Sequence, residues 1–192
     1  EIFISGISNK GKFYGRDPTP NDATQWNGIS LHDDNTIQYI GDGGYWMYDD
    51  LDGSIQLEWV PDTVQGIHIW NAGLTGTINL TSLPEALVAM NISGNQLTGS
   101  IDLRHLPSTL CILNLAYNQL SGALDLTRLP GKLMTLHLHE NFFSGETDFS
   151  QLPKALKWVD VEDNTELSGV VPIDTSVEGF RIKNTKVVME NR

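Results

Sequence analysis

Apolar residues fall along the chain in a fixed order with polar residues between them. Leu87, Met90, Ile92, Asn95 and Leu97 form one set, Leu110, Leu113, Leu115, Asn118 and Leu120 the next, and Leu133, Leu136, Leu138, Asn141 and Phe143 a third. Their first members, with Leu156, recur every 23 residues. A constant period in the twenties predicts a solenoid, because one copy cannot bury its apolar face without the next. Inside a copy, Leu113 and Leu115 point inward while their neighbours point out, the period of two expected of a strand. Strands are therefore predicted near 67–69, 90–92, 113–115, 136–138 and 159–161, stacked in parallel at about 4.8 Å as one narrow sheet.

The polar members of the pattern carry structural meaning. Asn95, Asn118, Asn141 and Asn164 occupy one column, where a buried amide can both donate to and accept from the backbone of adjacent coils. Ala72 stands in that column in an earlier copy and marks an imperfect rung. Leu83-Pro84, Leu106-Pro107, Leu129-Pro130 and Leu152-Pro153 hold the residue before each proline extended, which predicts a tight return with little helix.

The order L-x-x-L-x-L-x-x-N-x-L resembles leucine-rich repeats. The following Leu97-Thr98-Gly99-Ser100-Ile101 and Leu120-Ser121-Gly122-Ala123-Leu124 resemble the L-S/T-G-x-I segment of the plant-type subclass, and the Leu-Pro pairs are closest to protist surface proteins of that type. The resemblance implies a right-handed solenoid, α/β by family convention but mostly β and coil, with a concave parallel sheet. It also implies a recognition role and an extracellular or cell-surface setting, with the cytoplasm as the alternative. One departure is Ser30, in Trp26-Asn27-Gly28-Ile29-Ser30, where plant members often carry a capping cysteine.

Residues 1–35 do not fit the repeat and are read as an N-terminal cap covering the first apolar face. Within it, 2–4 is predicted as a short strand, 9–11 as a turn before Lys12-Phe13-Tyr14, 16–20 as a loop and 22–25 as a helical turn. Residues 36–192 form the solenoid of six to seven repeats, in a single structural domain. The first repeat begins near Ile37 and carries an insertion at 41–50, read as the completion of the cap. After Asn164 one extra residue shifts the pattern, and Val177, Phe180, Ile182 and Thr185 make a shortened last copy. The chain opens on Glu1 and reads as a processed product; its ending at 187–192 either leaves an edge strand or continues.

Composition narrows the function. The formal net charge is -12 and the pI about 4.6, which argues against nucleic acid as a partner. No apolar run approaches the length of a membrane span, so no membrane insertion is expected. Cys111 is the only cysteine, so an intrachain disulfide is excluded; it is read as a packing residue. Asn79-Leu80-Thr81 and Asn91-Ile92-Ser93 match the glycosylation sequon.

Alternation fixes which strand residues face outward. The partner-binding set read from it is His68, Trp70, Asn91, Ile112, Asn114, His137, His139, Trp158, Asp160, Glu162 and Arg181, with Tyr117 and Glu140 at the rim. Two tryptophans, three histidines and an isoleucine are thereby expected on one exposed face, and aromatics aligned across rungs are favoured interface anchors. A protein or peptide ligand is the expected partner, of a chain whose oligomeric state is read as monomeric. His137, His139, Asp160 and Glu162 could converge as zinc-type ligands, but the preferred reading is an exposed ladder whose carboxylates raise the histidine pKa values. Asp160, Glu162 and Asp163 against Arg181, Lys183 and Lys186 form a cross-strand neutralising pattern. Asp33-Asp34-Asn35 and Asp49-Asp50-Leu51-Asp52-Gly53 lack the spacing of a calcium loop. No nucleophile elbow or phosphate loop is present in the sequence, so no enzymatic activity and no cofactor is expected. The alternative function is a structural or adhesive element that associates with itself through its terminal strand or convex side.

Overall fold

The computed structural model describes residues 2–11, 25–41, 51–173 and 175–190. The expected loop at 16–20, most of the helical turn at 22–25 and most of the insertion at 41–50 lie outside them. The chain is a parallel β-solenoid of about six turns, with almost no helix among the described residues. Among the described residues, fourteen strands fall into two sheets. The first contains β1 (Ile29–Leu31), β2 (Ile37–Ile40), β3 (Gly66–His68), β5 (Ala89–Asn91), β7 (Ile112–Asn114), β9 (Thr135–His137), β11 (Trp158–Asp160) and β13 (Gly179–Arg181). The second contains β4 (Thr75–Gly76), β6 (Gln96–Gly99), β8 (Gln119–Gly122), β10 (Phe142–Asp148), β12 (Glu166–Val171) and β14 (Lys186–Met189).

The apolar repeat sets the first sheet's register. Ile67, Met90, Leu113, Leu136 and Val159 face one another in sequence across β3, β5, β7, β9 and β11, and all are buried. Each strand begins one residue before its expected position. Hydrogen bonding nevertheless continues past the strand, as where Ile69 N–H donates to Asn91 O at 2.9 Å. At the start, Ile40 pairs with Ile67, a wider spacing that accommodates the extra residues of the first coil.

The second sheet is absent from the sequence reading, which predicts one sheet only. It is built from the Leu-Thr/Ser-Gly segments. Its partners, such as Gly99 with Leu120 and Gly122 with Phe143, lie two residues out of phase with the 23-residue repeat. A shift of two preserves which face each side chain takes, so Leu97, Leu120, Phe143 and Leu167 all point inward. Between β10 and β12 the offset grows by one, with Gly145 against Leu167, which absorbs the extra residue after Asn164.

The Asn column ties the coils together. Asn118 Nδ2 donates to the carbonyls of Ile92, Leu115 and Ala116 at 3.1–3.2 Å, while its Oδ1 accepts from Leu97 N–H at 3.1 Å. Asn95, Asn141 and Asn164 repeat this arrangement. Ala72 offers no amide, and its N–H donates to Asn95 Oδ1.

The expected strand at 2–4 is instead a 3-10 turn, Ile2–Ile4. Phe3 and Ile4 are both buried, and two adjacent inward side chains suit a turn rather than alternating strand geometry. Its segment is tied to the first coil through Gln56 N–H to Phe3 O and Ser54 N–H to Gly6 O. Asp34 accepts from both the N–H and the hydroxyl of Thr36, so it closes a turn.

Candidate functional site

The outer face of the first sheet is built from columns of residues. One runs through Ala89, Ile112, Thr135, Trp158 and Gly179, the next through His68, Asn91, Asn114, His137, Asp160 and Arg181. Several members of the second column serve the backbone. Asn91 Oδ1 accepts from Ser93 N–H, Asn114 Oδ1 from Ala116 N–H and Asp160 Oδ1 from Glu162 N–H, each at 3.1 Å. These three side chains therefore bend toward their own strand ends and are less available than their outward positions suggest. His137 interrupts the series.

The face is less exposed than alternation predicts. Trp158 and Ile112 are exposed, whereas His68, Trp70, His137 and His139 are half-buried and Asp160 is buried. Ring packing accounts for His139: the Tyr117 ring meets it edge-on at 5.0 Å, and the His137 ring lies 5.7 Å away. Tyr117 and Glu140 stand where strand gives way to turn, both exposed and both at φ 54°, a left-handed conformation. Such geometry is costly for a residue with a Cβ. Gly94 occupies the same column, and a Cβ there would fall 1.8 Å from Asn71 Oδ1.

Tyr117, His137, His139, Trp158, Asp160 and Arg181 thus come together, and the last five line a cavity of about 430 Å³. His139 Nδ1 is shielded from solvent 3.4 Å from Asp160 Oδ2, near enough for an ion pair when protonated but out of line for a hydrogen bond. Arg181 Nη1 lies 3.8 Å from the same oxygen. The Trp158 ring covers Gly179, where a Cβ would sit 2.0 Å from Cε3.

At His137 these surroundings reverse the expected electrostatics. Burial lowers the His137 pKa below the usual histidine value, and the charges of His139 and Arg181 lower it further, while Asp160 opposes them. The four-residue metal set is also not assembled: among the described residues no group of three or more His, Cys, Asp or Glu is placed to hold a metal ion. Asp160 is committed to a backbone N–H and lies beside a guanidinium. Of the cross-strand charge pattern, Arg181 lies beside Asp160, whereas Lys186 pairs with Glu166, outside the expected set.

Two exposed apolar residues escaped the alternation rule. Val88 and Met134 have the parity of inward residues yet stand exposed. A repeated bulge at the strand start is responsible. Cys111 N–H and Ile112 N–H both donate to Val88 O at 2.8 and 3.2 Å, Met134 and Thr135 both to Cys111 O, and Lys157 and Trp158 both to Met134 O. Two consecutive residues then face out, which leaves Cys111 half-buried rather than in the core. The signal was present in the two-residue gap of L-x-x-L: with Leu110 and Leu113 both inside, Cys111 and Ile112 must both lie outside.

A second cleft, of about 590 Å³, is lined by Asn79, Asp102, Arg104 and Asp125 among others. Its polar groups largely satisfy one another. Asp102 accepts from the backbone and side chain of Arg104, which holds its carboxyl far below the usual carboxylate range. Asn79 and Asp125 accept from Thr81 and Thr127.

No protein-family model matches the chain, and no curated protein sequence matches it. No helix among the described residues is long and apolar enough to cross a membrane.

Proposed function

We propose that the chain is a non-enzymatic recognition module that binds a protein or peptide partner across the outer face of its first sheet. The observation that carries this reading is the convergence of Trp158, His137, His139 and Arg181 around one open cavity, with Tyr117 at its rim. Aromatic and arginine side chains supply most binding energy at interfaces, and a face held by sheet hydrogen bonds loses little freedom on binding. The resemblance of the repeat to leucine-rich repeats supports the same role and an extracellular or cell-surface setting.

The test is affinity capture from an extract and cell surface of the source organism. The native chain is compared with a His137→Ala, Trp158→Ala variant whose fold is verified by circular dichroism. A partner kept by the first and lost by the second is expected; equal retention by both would overturn the assignment of this face.

A second reading, self-association, is favoured by the far side of the molecule. Val170 faces Val188 across β12 and β14, and both are exposed, as are Met189 and Phe142. Adjacent apolar side chains on and beside β14, the outermost strand of its sheet among the described residues, can join copies. Light scattering that reports a monomer up to high concentration would exclude it.

A further inference from the structure

One exposed apolar side chain stands on each of four successive strands. Val88 precedes β5 by one residue and is 42% exposed; Ile112 on β7 is 44%, Met134 before β9 is 50% and Trp158 on β11 is 50%. The bulges, which at β5 join Val88 and Ala89 N–H to Gln65 O, leave two residues facing out at each strand start, so the four alternate between neighbouring columns: Val88 and Met134 in one, Ile112 and Trp158 in the next. With strands about 4.8 Å apart, they form a ledge about 14 Å long across the sheet. Isolated exposed apolar residues are ordinary; one large apolar side chain on each of four adjacent rungs, interleaved with Ala89, Cys111, Thr135 and Lys157, is a patch.

The row changes character at the next strand. On β13 the position facing Trp158 is Gly179, which offers no side chain, and two residues further along stands Arg181. Arg181 is well exposed, and its closest carboxylate is Asp160 at 3.8 Å, too long for a direct hydrogen bond. A guanidinium carries five N–H donors arranged to match a carboxylate. Asp160 itself is buried, with Oδ1 already accepting from Glu162 N–H. Arg181 therefore presents N–H donors to an incoming group, beside the Asp160 carboxylate that lines the same cavity.

Resting on the recognition reading above, we propose that the partner contributes an extended segment. Its apolar side chains lie along Val88, Ile112, Met134 and Trp158, and a following Asp or Glu side chain pairs with Arg181. From β5 to β13 the site spans about 19 Å, which about six extended residues cover at roughly 3.3 Å each. Arg181 is displaced along its strand by two residues from the line of the ledge. A side chain projecting sideways from the segment covers that offset, whereas a chain terminus would have to leave the line of the ledge. The partner's group must be an acceptor because the Arg181 guanidinium can only donate; the neighbouring cation Lys157 already pairs with Glu178 at 2.7 Å.

Capped heptapeptides test this with the whole chain. The probe is acetyl-Leu-Ser-Leu-Ser-Leu-Ser-Glu-amide, with its reversed sequence to cover both chain directions. Binding is followed by nuclear magnetic resonance at the Met134 methyl and the Trp158 indole N–H. Saturable shifts at both groups are expected, with the Glu peptide binding about tenfold tighter than its Gln counterpart, in keeping with a charge-assisted pair. Arg181→Gln should reduce that ratio to near one, while Lys183→Gln leaves it in place. Absence of saturable shifts for both directions, a Glu-to-Gln ratio near one in the native chain, or loss of the ratio in Lys183→Gln instead would each overturn the proposal. Equal affinity for a Gln peptide ending in a free carboxylate would overturn the side-chain assignment. The captured partner separates the two readings: if it is lost with Trp158→Ala but insensitive to Met134→Ser and Arg181→Gln, recognition on this face stands and this subsite assignment falls.

Discussion

Asn141 shows how much of the solenoid rests on single side chains. Its Nδ2 donates to Leu115 O, Leu138 O and His139 O at 3.0–3.2 Å, and its Oδ1 accepts from Leu120 N–H at 3.0 Å. Asn141→Ala leaves these buried backbone groups without partners and is expected to cost about 2–4 kcal/mol in urea unfolding. A carboxylate could not replace the three donations, so Asn141→Asp should also destabilise. At the same scale, His137 is expected to titrate below the usual histidine value in a nuclear magnetic resonance titration. Because Arg181 lowers that pKa and Asp160 raises it, Arg181→Gln should move the midpoint up and Asp160→Asn should move it down. Since the folded value lies below the unfolded one, the unfolded chain binds more protons between them. The neutral His137 therefore contributes stability that is present above about pH 6.5 and is lost as pH falls through the folded value.

At the scale of elements, the contact between β11 and β13 is the most specific. Gly179 makes room for the Trp158 ring. Gly179→Ala is expected to displace the indole, changing the near-ultraviolet circular dichroism and weakening partner capture. The stability cost should stay below about 1 kcal/mol, because a half-exposed ring can swing into solvent and need not strain the core. Most of the first sheet was legible here. The spacing of Leu110, Leu113 and Leu115 predicted strand, direction and neighbour. The second sheet was not, because Leu97-Thr98-Gly99 carries one inward apolar residue, too short a pattern to distinguish a strand from coil. The candidate site was half legible: Trp158, Ile112 and Arg181 followed from alternation, but Val88 and Met134 required the bulge, and Asn91, Asn114 and Asp160 turned out to serve the backbone.

Over the whole molecule, stability runs from coil to neighbouring coil. Leu113 and Leu136 are fully buried between two flanking coils, whereas Val177, Phe180 and Ile182 around β13 are only partly buried. Hydrogen exchange of the 192-residue chain is therefore expected to be faster for amides of β13 and β14 than for those of β7 and β9, since local opening is easiest where few apolar contacts must be broken. Comparable protection along all coils would instead indicate a single cooperative unit.

By itself the sequence determined the repeating coil, the inward apolar set and the role of the Asn column, because each follows from periodicity and from the cost of an unsatisfied buried backbone group. Only the tertiary structure decided the second sheet, the bulges that bring Val88 and Met134 outward, and the environment of His137. Those depend on which carbonyl a given N–H meets in the next coil, and on which side chains stack above and below it, distances that no spacing along one chain contains.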